Sequence, residues 1–403
     1  MNLLISEINK KKILYLIFFL PIGLLMGSLI SNIVVLLIVF FFIFDLYKKK
    51  DFIYLKNKDF LILFLFWLYL IFNAILISQN ESSIVRAVGF IRFVLLAFAI
   101  NYYLTSNSKK YQLITIKLWS IIFLIVTLDI LFEFIFGFNT LGFVSDYPGR
   151  LASYTGDELK IGGFYFGFIL ITLSFFYQIK KRLFYFFLLI FLVVSFLIGE
   201  RANFIKIFLC LSIFYFFLTG ISLKKKFLYL GIFFLFFTIL FNSQKEFKNR
   251  YVKQIFFKKE SNLISSLYNN NRHILHYRTA LKMFKENPIF GVGIKNFRNK
   301  GVEKKYYVQN SFSSSSTHPH QIHFEFLSEI GLFGYMFIMS YLVFCIIRGV
   351  SNFRKNKHIL VFASSIFILI TILPIIPSGS FFTSFTATIF WINFSFAIRE
   401  INE

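Results

Sequence analysis

Three of the chain's six histidines, His318, His320 and His323, fall in the stretch STHPHQIHFEFLSEIGLFG at residues 316–334, where a polar segment passes into an apolar one. Such a cluster suits metal ligation, proton transfer, or polar contact at a membrane surface. For a metal, Glu325 would have to complete the ligand set. No Cys is near, no HExxH is present and Pro319 separates two of the rings, so the spacing matches no standard zinc arrangement. Proton transfer suits His320, because an imidazole with an ordinary pKa of about 6.5 takes a proton from a hydroxyl at neutral pH. His318 and His323 read as interface or substrate-contact residues. Glu325 and Glu329, four residues apart, share a helix face directed back toward His320. Glu329 then orients the imidazole or a substrate, or serves as a helix-entry carboxylate. Gly331 and Gly334, three apart, would let another backbone or a lipid come close to the helix.

Arginines form the second group. Twelve Arg stand against thirty-one Lys, so an arginine in this chain suggests a required geometry: its planar fork donates two parallel hydrogen bonds to phosphate. On the side read below as exterior these are Arg150, Arg201, Arg250, Arg272, Arg278 and Arg298, with Arg86 near the interface. Glu200 beside Arg201 in GERANF reads either as an interfacial ion pair or as an arginine facing a cavity. Asp129 and Glu133, four apart on one face, and Arg92 are other ionisable groups in apolar runs, where such groups are costly and mark function.

These residues must be positioned by a membrane protein. The chain is 57% hydrophobic and 15% charged, against about a quarter charged in soluble proteins. Twelve apolar runs approach the length of about 20 residues that a spanning helix needs: 13–29, 31–47, 60–78, 86–104, 112–138, 162–178, 183–199, 203–220, 227–242, 322–347, 358–375 and 383–398. The first is followed at once by another run and lacks a cleavage pattern, so it is not a removable signal. Basic residues flank the start of the first run and the exits of the second, fourth, sixth, eighth, tenth and twelfth, which places both termini in the cytoplasm. The net charge of +24 reads as this bias plus lysine-rich composition, with no nucleic-acid motif. Cys210 and Cys345 lie in apolar runs and read as buried small hydrophobes without a disulfide.

The organisation expected is therefore all-α and polytopic: helices 1–9 over residues 1–242 with a smaller exterior segment at 139–161, a long exterior loop at 243–321, and helices 10–12 over 322–403. The long loop holds fifteen Lys and Arg against four Glu, a positive surface that concentrates anionic partners. Within it, Ile274, Tyr277, Leu281 and Phe284 fall on one face of a helix, read as amphipathic and lying on the membrane surface. Asn287-Pro288 ends that helix, and GVG at 291–293 gives a tight turn.

His320-Gln321, nine residues and then GLFG at 331–334 fit a pattern H-[N/S/Q]-x9-G-x-x-[G/T/Y], which resembles the O-antigen ligase family. THPHQ at 317–321, NPIFGVGIKNFR at 287–298, GERANF at 199–204 and GRLASYTGDELKIGGF at 149–164 are similar to further family segments, with Gln321, Ala152 and Tyr154 as departures. The resemblance implies a GT-C-type, inverting glycosyltransferase of the bacterial inner membrane that uses no metal or other cofactor. Its donor would be a glycan on undecaprenyl diphosphate, transferred on the periplasmic face to a lipid A core sugar. It also implies His320 as general base, Arg201 with Arg272 or Arg278 at the diphosphate, and membrane lipids but no nucleic acid as partners. Polymerisation of lipid-linked glycan and glycosylation of protein Ser or Thr remain open within the family. A flippase or transporter suits twelve spans but not the long loop, nor the lack of paired broken helices.

Overall fold

The computed structural model describes residues 2–50, 52–104, 109–158, 160–218, 271–308, 316–374 and 376–398, with scattered positions between 222 and 238. Most of the expected ninth span, Arg250 and the first part of the long loop lie outside the described residues.

The described chain is helical. In order come α1 (Asn2–Leu25), α2 (Ser28–Lys49), α3 (Lys58–Phe72), α4 (Glu81–Leu104), α5 (Lys109–Phe136), α6 (Ile161–Ile179), α7 (Lys181–Leu197), α8 (Arg201–Phe217), α9 (Arg272–Glu286), α10 (Phe297–Lys300), α11 (Ile322–Asn356), α12 (Ile359–Thr371) and α13 (Ser384–Phe394). Six of the described helices are long and apolar enough to cross a membrane: α2, α3 with its π-helical extension to Ser78, α4, α5, α6 and α11; the apolar parts of α1 and α12 are shorter. Apolar side chains stand exposed along their outer faces, as with Leu29, Ile33, Leu36, Phe40 and Ile43 of α2. A lipid-facing wall requires this, and only helices with all backbone groups paired internally can stand there. The chain is thus a multi-pass membrane protein by helix length and surface.

α6 is the central helix and packs against α5, α7, α8, α12 and α13. Close approach is permitted where it has glycine: a Cβ on Gly167 would stand 2.5 Å from Ile389 of α13, and Asn393 of α13 donates to the Gly167 carbonyl at 2.9 Å. The connections assigned to the exterior gather at one end of the bundle. Lys160 Nζ reaches Ser28 Oγ at 3.2 Å, Leu151 N bonds Ile198 O at 3.1 Å, and Ser378 N bonds His320 O at 2.8 Å. The opposite end is tied by Arg348, whose guanidinium donates to both Asp59 oxygens at 2.8 Å and to Ala397 O at 2.7 Å.

Two expectations change here. α9 does follow from Asn271, whose side chain accepts from His273 N, to a stop before Pro288. Its buried face, however, is Leu275, His276, Thr279, Ala280 and Met283, one position round from the apolar set read from the sequence. The small residues Thr279 and Ala280 suit close packing, and the helix lies against α11, with Tyr277 stacked on Phe324 at 4.6 Å. Asp129 and Glu133 also take a structural part. Asp129 accepts from Thr140 N at 2.8 Å and from Ser153 Oγ at 2.5 Å, and Glu133 accepts from Ser153 N at 2.7 Å. Together they pin residues 140–153 to the end of α5.

Candidate functional site

The site begins where α11 begins. Gln321 caps the helix: its side-chain oxygen accepts from His323 N and Phe324 N at 2.8 and 3.1 Å, and its amide donates to Pro374 O at 2.8 Å. A polar residue after His320 is therefore needed to satisfy the helix's first N–H groups. His320 itself stands in the left-handed region, φ 61°. Such backbone is costly for a residue with a Cβ and persists only where its surroundings hold it; here the Ser378 bond does so.

A second crossing fixes the depth of the site. Gly331 breaks α11 with φ 65°, and the turn segment 288–293 packs its backbone against the break. Leu332 N and Phe333 N bond Pro288 O and Ile289 O at 2.8 and 3.1 Å, while Val292 N and Gly293 N bond Ser328 O and Glu329 O at 2.8 and 2.9 Å. A Cβ at Gly331 would stand 2.2 Å from Ile289 O, and one at Gly334 would stand 2.5 Å from the Tyr69 ring. The backbone admitted by these glycines is thus that of NPIFGVG, and the two sequence islands form one unit. Asn73, in the π-helical turn after α3, clamps the same segment: it donates to Phe290 O at 2.7 Å and accepts from Ile294 N at 2.8 Å.

Glu325 and Glu329 are fully buried and hold backbone instead of facing His320. Glu329 accepts from Lys295 N and Phe297 N at 2.8 and 3.3 Å. Glu325 accepts from Phe381 N at 2.8 Å and from Ser380 Oγ, and Ser380 Oγ in turn meets Lys295 Nζ at 2.8 Å. The two carboxylates therefore fasten the segments that carry Lys295 and residues 378–381 to α11. His323 also turns inward: Nε2–H donates to Ile372 O at 2.7 Å and Nδ1 accepts from Tyr335 Oη at 2.9 Å.

These segments enclose a cavity of about 1080 Å³, lined by His273, His318 and His320 and by Arg86, Lys160, Lys206, Lys295 and Arg298. No Asp or Glu is among the described lining residues. With five fixed cations, a cavity of this size suits an anionic ligand at or above the upper end of ordinary small-molecule sites, about 1,000 Å³. Four imidazoles crowd together: the rings of His318, His273 and His276 lie 4.0, 5.2 and 5.3 Å from that of His320. Burial and the neighbouring rings His273 and His276 hold His320 down at about 4. Burial, then His320 and Lys295, bring His318 to about 3. Both are neutral at pH 7, with Ser316 Oγ 3.1 Å from His320 Nε2.

The arginines expected at the diphosphate, Arg201, Arg272 and Arg278, are not among the described lining residues of this cavity. Arg201 starts α8 next to Ala202 and Asn203, which do line it, and its charge adds to burial in lowering the pKa of His273. Arg272 is the exposed first residue of α9, and Arg278, six residues on, is half-buried. Glu200 caps Gly162 N at 3.1 Å and holds Asn203 Nδ2 at 2.6 Å. Arg150 lies over the Tyr147 ring at 5.7 Å, in the segment that crosses Ile198. Lys206, Lys295 and Asn73 were not singled out by the sequence. Lys295 had a signal, its place after the GVG turn; the other two had none.

Residues 154–339 match the family model described as O-antigen ligase. No curated protein matches the chain.

Proposed function

We propose, from the premise that the chain belongs to the O-antigen ligase family through residues 154–339, that it is a GT-C-type membrane glycosyltransferase with twelve spans. In this reading it moves a glycan from undecaprenyl diphosphate to a sugar hydroxyl of the lipid A core on the periplasmic face of the inner membrane. The observation that carries the reading is the cavity: five Lys and Arg, a neutral His320 and no described carboxylate in its wall.

The chemistry follows from that composition. The acceptor hydroxyl attacks the anomeric carbon from the side opposite the diphosphate, the bond to the diphosphate oxygen breaks, and the configuration inverts. His320 takes the hydroxyl proton; Ser316 Oγ already lies at 3.1 Å, the distance an acceptor oxygen must reach. Charge grows on the departing diphosphate, and fixed cations in a partly dry cavity stabilise it without reorganising. Arg201 and one of Arg272 and Arg278 complete that cation set from its rim. Metal ions take no part, so transfer survives EDTA; loss of activity on chelation would contradict this.

A deletion strain tests the acceptor. Core lacking O-chain, with polymer accumulating on the lipid carrier, is the expected result. Core bearing a single repeat unit would make the protein a polymerase. Intact lipopolysaccharide with unglycosylated periplasmic proteins would make it a protein glycosyltransferase.

A further inference from the structure

Lys206 lies on the second turn of α8, 6% exposed, and forms part of the cavity wall. A cation in a largely buried wall is expensive unless something answers its charge, and in a spanning helix, as α8 is in the twelve-span reading, such a group marks function. Among the described residues Lys206 donates no hydrogen bond and joins no ion pair. Its neighbour in space is the ring of Phe166, 5.8 Å away. Glu200 is within electrostatic range, but its oxygens already accept from Gly162 N and Asn203 Nδ2.

The wall beside Lys206 differs from the rest. Phe166 of α6 stacks on Phe367 of α12 at 4.7 Å, and Phe390 and Ile389 of α13 line the same cavity. One cavity therefore joins a polar part, with His320, Lys295 and Arg298, to an apolar part that contains one buried cation. A ligand filling both carries an anion next to an apolar chain.

We propose that Lys206 contacts a phosphate of a lipid-linked diphosphate, and that the first units of the lipid chain lie along Phe166, Phe367 and Phe390. This rests on the lipid-diphosphate donor argued above. It adds a cation from within the bundle to the arginines of the rim, and a path for the tail between α6, α12 and α13.

Binding to the purified protein in neutral detergent tests it, with geranylgeranyl diphosphate, geranylgeraniol and inorganic diphosphate as probes. Lys206→Met weakens geranylgeranyl diphosphate binding about tenfold, the loss of one charge-assisted hydrogen bond. Geranylgeraniol binding stays unchanged, and Lys206→Arg keeps most of the affinity. Lys206→Met also raises the melting temperature of the ligand-free protein, because a charge held in a largely buried wall without a hydrogen bond is removed. Wild-type binding by Lys206→Met overturns the proposal. So does a lower melting temperature with equal loss of both lipid probes, the mark of a structural ion pair with Glu200. Inorganic diphosphate binding as tightly as the lipid form would remove the tail path. Lys206-dependent lipid binding in a protein that transfers no glycan removes the transferase reading alone. Active transfer by Lys206→Met with an unchanged donor KM removes the Lys206 assignment alone.

Discussion

In the proposed reaction His320 is a base only while neutral, and burial with two neighbouring imidazoles keeps it neutral down to about pH 4. The acid limb of kcat/KM, which reports the free enzyme, should therefore fall well below the ordinary histidine value of about 6.5. Half-loss near pH 6.5 would show an imidazole free of that environment. Stability carries the same sign. The unfolded chain binds a proton at His320 from about pH 6.5 downward, whereas the folded protein resists until about 4, so stability is lost as pH falls through that window. His320→Ala should flatten the loss, as measured by thermal unfolding between pH 6.5 and 4. At this scale the sequence was informative for residues with a rare type or motif position, such as His320 and Gln321. It was silent on Lys206, one lysine among thirty-one, because cavity membership arises from helices far apart in the chain.

The unit formed by the break in α11 and the segment 288–297 sets the geometry of the cavity. Gly331→Ala places a Cβ 2.2 Å from Ile289 O at φ 65°. Left-handed strain alone costs about 1–3 kcal/mol, and the clash adds to it, so a clear fall in melting temperature and in transfer is expected. Leu332→Ala, at an exposed neighbour, should leave both near wild type. Glu329→Ala strands Lys295 N and Phe297 N; leaving buried donors unpaired costs about 1–3 kcal/mol each. Rescue by Glu329→Gln should be partial, since one carbonyl oxygen replaces two acceptors. A Glu329→Ala protein as stable and active as wild type would remove this positioning role. Helix positions were legible because a membrane demands long apolar runs: eleven of the twelve expected runs coincide with described helices, six of them long and apolar enough to cross. The face of α9 was not, because His276 and Thr279 are buried there for packing that hydropathy does not record.

Across the whole molecule the bundle has two unlike ends, one built around the cavity and one tied by Arg348 and Asp59. The proposed topology rests on basic residues alone, and side-specific labelling checks it. Cys210 and Cys345 are free and buried, so a membrane-impermeant maleimide should find little background. Leu141→Cys, at an exposed loop position, should react from outside intact spheroplasts. Lys355→Cys, at the other end of α11, should react only after permeabilisation; the reverse pattern would invert the protein.

In the proposed reaction His320, set among fixed cations, deprotonates an acceptor for attack on a lipid-diphosphate glycan. The most direct measurement is transfer by purified protein in proteoliposomes, from a glycan on undecaprenyl diphosphate to a lipid A core acceptor, for wild type and His320→Ala. Loss of general-base assistance predicts a rate lowered by about 10²–10⁴-fold in a variant that inserts and melts as a folded protein. Transfer by His320→Ala at the wild-type rate would contradict the account.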